Sequence, residues 1–233
     1  MTQAEGGSGQ GASVTRTPQT RLKRYPARAS YLREDIYAIL DEALVCHMGF
    51  VVDDQPYVIP TLCARVDNVL YLHGSSASRA LKTMSGIPRV CVTATLMDGL
   101  VLARSAFFHS VNYRSVVVLG AAEEVSTAEK ELALESFTNA IVPGRWNDVR
   151  SPSRKELKAT RILKLALDEA SVKARSGPPS DLEEDLALDT WSGVIPVRVR
   201  PDKPVPDPTL RSGIAVPGYI KRYVGQLGRV SSR

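Results

Sequence analysis

The run YLHGSSASRALKTM, Tyr71 to Met84, carries an apolar strand into a serine-rich turn and then into a short basic segment. The hydroxyls of Ser75, Ser76 and Ser78, the turn amides after Gly74 and the charges of Arg79 and Lys82 are the groups that hold a phosphate ester. The same composition also makes an ordinary solvated turn, so the stretch by itself leaves both readings open. His73, at the strand end, is either a hydrogen-bonded residue of a barrel mouth or a group beside a ligand. His47 and His109 stand among apolar neighbours and read as structural or surface histidines. Neither has a cysteine or carboxylate at metal-ligand spacing, so no metal is assigned. Ser75 and Ser105 lack the Gly-x-Ser-x-Gly elbow of a hydrolase nucleophile.

The elements that must position these groups follow from periodicity. From Ser30 a helical pattern places Leu32, Ile36, Ile39, Leu40, Ala43 and Leu44 on one face. At Val45 the period changes to two, which predicts strands at Val45–Val52, Tyr57–Arg65, Val69–His73, Arg89–Leu96, Leu100–Ala103 and Ser115–Val125. Turn signals separate them at Asp53-Asp54, Asp67-Asn68 and Asp98-Gly99, and Gly120 marks a bulge or bend. Ser126 with Glu129 and Ser153 with Glu156 read as capping boxes that start two helices, with an irregular loop at Pro143, Gly144 and Trp146 between them. Strands resume at Thr160–Leu167, Ala170–Arg175 and Val194–Arg200 after a Gly/Pro/acid-rich excursion over 176–188. The pattern predicts a mainly β fold with flanking helices, closed as an antiparallel barrel.

The chain has 233 residues, 43% of them hydrophobic, which suits one sizeable core with tails. Residues 1–20, poor in apolar groups, are expected to be a disordered leader, 21–208 the folded domain and 209–233 a basic tail. A net charge of +5 without basic blocks or interleaved aromatics favours an anionic ligand over nucleic acid. Cys46, Cys63 and Cys91 lie in apolar runs and read as reduced core thiols of a cytoplasmic protein. No apolar run approaches membrane-span length.

In order and spacing, RYPARASY, PYVIPT, YLHGSSASRAL, NYRSVVVLGAAEEV and WSGVIPVRV resemble the FMN-binding split-barrel proteins of the pyridoxamine 5′-phosphate oxidase superfamily, in the branch related to nitroimidazole reductases. The likeness covers roughly residues 24–208. It implies a six-stranded antiparallel split β-barrel that dimerises and binds FMN in clefts between subunits. The family's phosphate element falls on Ser78, Arg79 and Lys82, joined by Gly74 and Ser75, and its flavin-side strand end on Tyr71, Leu72 and His73, with His73 the expected catalytic group. Pro60 and Thr61 would face the isoalloxazine ring, Asn112, Arg114 and Ser115 would line the flavin, and Trp191 would reach the partner's cofactor. Where oxidase relatives have glutamine after the arginine, this chain has Ser115, and the oxidase's substrate-binding Arg/His pattern is absent, which argues against pyridoxamine phosphate as substrate.

The implied activity is FMN-dependent oxidoreduction of a small organic molecule, nitroaromatic reduction included. A flavin carrier or sensor is the alternative, and a split-barrel haem protein with His73 or His47 as axial ligand is a third. No Gly-x-Gly-x-x-Gly follows a strand, so NAD(P)H as electron donor would dock transiently.

Overall fold

The computed structural model describes residues 11–85 and 89–229. Strands β1 (Ala29–Ser30), β2 (Val45–Val52), β3 (Gln55–Val66), β4 (Val69–Ser75), β5 (Val90–Leu102), β6 (Ser110–Gly120), β7 (Glu123–Glu124), β8 (Thr160–Ala166), β9 (Ala170–Arg175) and β10 (Gly193–Pro196) form one antiparallel sheet. Its order is β1-β9-β6-β5-β2-β3-β4-β8-β7, with β10 added on β5. β8 and β9 are consecutive in sequence, yet β8 pairs with β4 and β9 with β6. The turn over 167–169 therefore joins the two ends of the sheet without a ladder between them, and this is the split in the barrel.

Two helices fill the barrel. Helix α1 (Arg33–Glu42) buries Ile36, Ile39 and Leu40, and α2 (Arg79–Met84) buries Leu81 and Met84 against Leu70, Leu72, Val92, Val116, Leu163 and Leu165. Each such side chain contributes about 1.5–3 kcal/mol on leaving water. Helix α3 (Glu129–Ile141) lies outside and packs Ala133 and Phe137 on Ala64, Tyr71 and Ile162. Short α4 (Arg154–Ala159) begins at the expected Ser153/Glu156 capping box, and α5 (Gly218–Arg229) ends the described chain. The expected Ser126/Glu129 box is only half formed: Ser126 Oγ accepts from the Glu129 amide at 3.2 Å, but the Glu129 carboxylate turns to Tyr71 and Lys164 and α3 begins at Glu129.

Several expectations change. Residues 1–10 of the expected leader lie outside the described residues, but from Gly11 the segment packs, with Val14 and Thr20 buried. Hydroxyl chemistry fastens it: Thr17 Oγ1 donates to Glu169 at 2.7 Å and the Tyr31 hydroxyl donates to the Thr20 carbonyl. Asp98-Gly99 is no turn. β5 runs through it with a register shift between Met97 and Gly99, and Gly99 lets β10 approach, since a Cβ there would stand 3.0 Å from Val194. The last predicted strand is shorter, ending at Pro196, and the basic tail contains α5, whose Tyr219 hydroxyl donates to Asp148 at 2.8 Å. Cys46 and Cys63 are buried free thiols, and Cys91 is a half-buried one. Among the described residues no helix is long and apolar enough to cross a membrane.

Candidate functional site

Alternation along β4 divides its residues between two environments. Leu70 and Leu72 point into the barrel and are fully buried, whereas Tyr71 and His73 point outward under α3. Leu72, expected beside a flavin, is thus a core residue. The Tyr71 hydroxyl donates to Glu129 at 2.9 Å, and Lys164 holds the same carboxylate at 3.1 Å. Burial and then the Glu129 carboxylate push the Tyr71 phenol up to about 12, so it stays a donor.

His73 differs. Its ring lies 4.4 Å from Phe137, and its Nδ1 is buried without a hydrogen-bond partner. Burial alone pulls its pKa below the ordinary value, which favours a neutral imidazole with a lone pair available. Thr61 Oγ1 donates to the His73 carbonyl at 3.4 Å and ties β3 to this end of β4. Across the β4/β8 ladder Gly74 faces Arg161, whose Nε is also buried and unpartnered while its guanidinium holds Glu124 at 2.7 Å. Only one other such atom, Arg104 Nε, occurs among the described residues. Buried polar groups are normally satisfied, so two unmet ones flanking Gly74 mark this end of the barrel.

Gly74 itself permits close approach, since a Cβ there would stand 2.8 Å from Leu81 Cδ1 of α2. In the turn that follows, Ser75 Oγ accepts from the Ala77 amide at 3.1 Å, and Ser78 Oγ caps α2 by accepting from Leu81. The amides of Ser76 and Ser78 donate to Ala159 and Ser75 carbonyls. The expected amide cradle is therefore largely consumed within the fold, and what the turn offers an anion is hydroxyl protons and the exposed Lys82. The Arg79 side chain lies outside the described residues.

Register carries the outward face of His73 across β3 and β2. Val45 opposes Leu62 and His47 opposes Pro60, so these residues share one surface. Beyond the edge of α3 that surface is bare: Val58 is 68% exposed, and Val45 and Val51 are 53% exposed. His73 thus stands at the border between a covered and an open apolar face, with Pro60 on the open part and Thr61 turned the other way, toward the barrel.

The second group nominated by sequence lies elsewhere. Arg114 reaches Asp98 through Nε and Nη2 at 3.0 and 2.8 Å, and Glu42 through Nη1 and Nη2 at 2.7 and 3.0 Å. These carboxylates, Glu42 first and Asp98 second, hold its pKa well above the ordinary value. Asn112 is buried, accepting from Arg175 and donating to the Gly177 carbonyl at 3.0 Å, and Ser115 donates to the Lys173 carbonyl at 3.1 Å. All three side chains are hydrogen-bonded within the chain, to β9, α1, the β5 bulge or the Gly177 carbonyl. Trp191 is 65% exposed near β10, with its ring against Gly193. Sequence reasoning missed Phe137 and Arg161. The i, i+4 pair Ala133/Phe137 on α3 was the available signal for the first, and no local signal exists for the second.

The family described as pyridoxamine 5′-phosphate oxidase matches residues 32–174. The flavocytochrome Anf3 from Azotobacter vinelandii is 40% identical, with a TM-score of 0.84 over 89% of this chain and 97% of that one. The FAD and haem binding protein from Mycobacterium smegmatis is 33% identical, with a TM-score of 0.82 over 84% and 97%. A candidate 5-nitroimidazole antibiotic resistance protein from Bacteroides thetaiotaomicron, at 22% identity and a TM-score of 0.53 over 62% and 85%, shares the fold alone. The likeness to the nitroimidazole branch therefore does not go beyond the fold. No curated protein matches the chain.

Proposed function

This chain belongs to the pyridoxamine 5′-phosphate oxidase family, and from that premise we propose that it is a redox protein carrying both a flavin and a haem, with His73 as the residue that would hold the haem iron. The observation that carries the reading is His73 itself, a half-buried, deprotonation-favoured imidazole whose buried Nδ1 has no partner, at the edge of an open apolar face. The flavocytochrome and FAD-and-haem relatives, at 40% and 33% identity, support it. They also favour FAD over the FMN implied by the first resemblance, and electron transfer over nitroaromatic reduction. When bound, the flavin supplies two-electron exchange and the haem one-electron exchange.

The chain's own residues supply the rest. Phe137 fixes the His73 ring by packing, and the Thr61 bond to the His73 carbonyl fixes its backbone. His47, exposed on β2 between Val45 and Val51 on that same open face, is the alternative ligand. Ser75, Ser78 and Lys82 present donors to a flavin phosphate, and the bare face around Val45, Val51 and Val58 suits a second copy of the chain, giving a homodimer that encloses the cofactors. NADH or NADPH would dock transiently as donor.

The test is the visible spectrum of the full-length protein, as purified and after addition of FAD and haemin, followed by anaerobic NADH or NADPH. A bound-flavin spectrum together with a Soret band that shifts on reduction is the expected result. Flavin binding with no haem uptake would return the protein to the carrier or small-molecule oxidoreductase class, and binding of neither would end the redox reading.

A further inference from the structure

We infer that Lys155 and Lys158 of α4 hold the second phosphate of a flavin dinucleotide, so that α4, beside the Ser75–Lys82 turn, sets the preference for FAD over FMN. This rests on the flavin reading above and deepens it.

The Ser76 amide donates to the Ala159 carbonyl at 2.8 Å, and Ser75 pairs with Thr160 in the β4/β8 ladder. The last turn of α4 is thereby fixed against the serine turn, and Lys158 is the residue immediately before that contact. Within RKELKA, Arg154, Lys155 and Lys158 are all exposed. Glu156, the one acid of the helix, is held by Arg150 at 2.8 Å and by the Ser153 amide at 2.7 Å. Among the described residues Lys82, Arg154, Lys155 and Lys158 have no ion-pair or hydrogen-bond partner.

A helix C-terminus is a poor neighbour for an anion, because its free carbonyls carry the negative end of the dipole. Here that objection is removed from below. Lys130 of α3, partly buried, donates through Nζ to the Leu157 and Thr160 carbonyls at 3.2 and 2.8 Å. The ammonium neutralises those oxygens and leaves the lysines of α4 as the charge that a ligand meets.

The two halves therefore differ in chemistry. The turn offers hydroxyl protons and Lys82, enough for one phosphate, while α4 offers two lysines three residues apart on neighbouring turns of one helix. A diphosphate carries a second charged group directly bonded to the first, and FMN does not. Cations that contact only the second phosphate discriminate between the two flavins, and cations acting through a diffuse field do not.

The experiment uses full-length protein freed of cofactor and titrated with FAD and with FMN by fluorescence, with ADP as competitor. The Lys155→Ala/Lys158→Ala protein should bind FAD about tenfold or more weakly, as expected for loss of charge-assisted contacts, while its affinity for FMN changes by less than about threefold. Lys155→Arg/Lys158→Arg should keep the preference for FAD, and Lys221→Ala, an exposed cation on α5, should leave it unchanged. Equal weakening of both flavins, or no weakening, would overturn the assignment while leaving the flavin reading intact. Failure of the unsubstituted protein to bind either flavin would remove both.

Discussion

Two regions of this barrel were nominated by the same kind of sequence evidence, and their polar groups have opposite fates. Around Arg114, Asn112 and Ser115 every polar side chain finds a partner inside the chain: two carboxylates for the arginine, Arg175 and a carbonyl for the asparagine, a carbonyl for the serine. Around His73 and Gly74 two buried nitrogens find none, and the serine hydroxyls accept bonds while keeping their protons. A basic residue in a strand is equally visible to sequence reasoning in both places. Whether it has binding capacity left depends on what the fold brings opposite it, and leaving such capacity unmet costs stability that a ligand would offset.

The contrast is broken most directly at His73. His73→Ala should abolish haem binding, read from loss of the Soret band in protein reconstituted with haemin, while flavin binding persists. Retention of the same band would move the ligand elsewhere. Next in size is Arg114→Ala, which strands Glu42 and Asp98 near each other and should lower stability by about 1 kcal/mol, given the partial exposure of this network. That corresponds to a drop in melting temperature of about 2–4 °C for a chain this size, with flavin affinity unchanged. A large loss of flavin affinity at unchanged Tm would return Arg114 to the binding site.

The contrast is sharpened by pH. The unfolded chain takes up a proton on His73 near the ordinary value of 6.5, and the folded chain, with the pKa depressed by burial, does not. The penalty is therefore absent above that value and grows as pH falls below it toward the depressed folded value. Between about pH 7 and pH 5 the apoprotein should lose stability more steeply than His73→Phe; parallel slopes would mean that the imidazole protonates freely in the folded state. The smallest effect belongs to Ser78→Ala, which removes the cap of α2 and should cost about 1 kcal/mol or less, with flavin phosphate affinity falling in step if the hydroxyl proton also meets the ligand. A cap effect without any change in flavin affinity would make Ser78 purely structural.

Much of the fold was legible because local signals coincided with global needs. β2 begins and ends where its alternation does, at Val45 and Val52, and the Ser153/Glu156 box starts α4. Asp98-Gly99 misled because a dipeptide that permits a turn equally permits the close approach of β10, and nothing within β5 distinguishes the two. The leader misled because one buried side chain, Val14, backbone bonds to Tyr31 and Asp168, and hydroxyl bonding to Glu169 and Tyr31 fasten a segment otherwise poor in apolar groups.

By itself the sequence determined the strand-rich class, the helices, the serine turn with its following cations and the likeness to the split-barrel family, since all of these are carried by short-range pattern and motif order. Tertiary structure alone decided which nominated residues remain available. Tyr71, Leu72 and His73 are neighbours in sequence, and the two-residue period of a strand sends Leu72 into the core while Phe137 and Arg161, distant in sequence, become the neighbours of His73 and Gly74. Partner identity across a sheet is a property of register and closure, and neither is written in the residues on one strand.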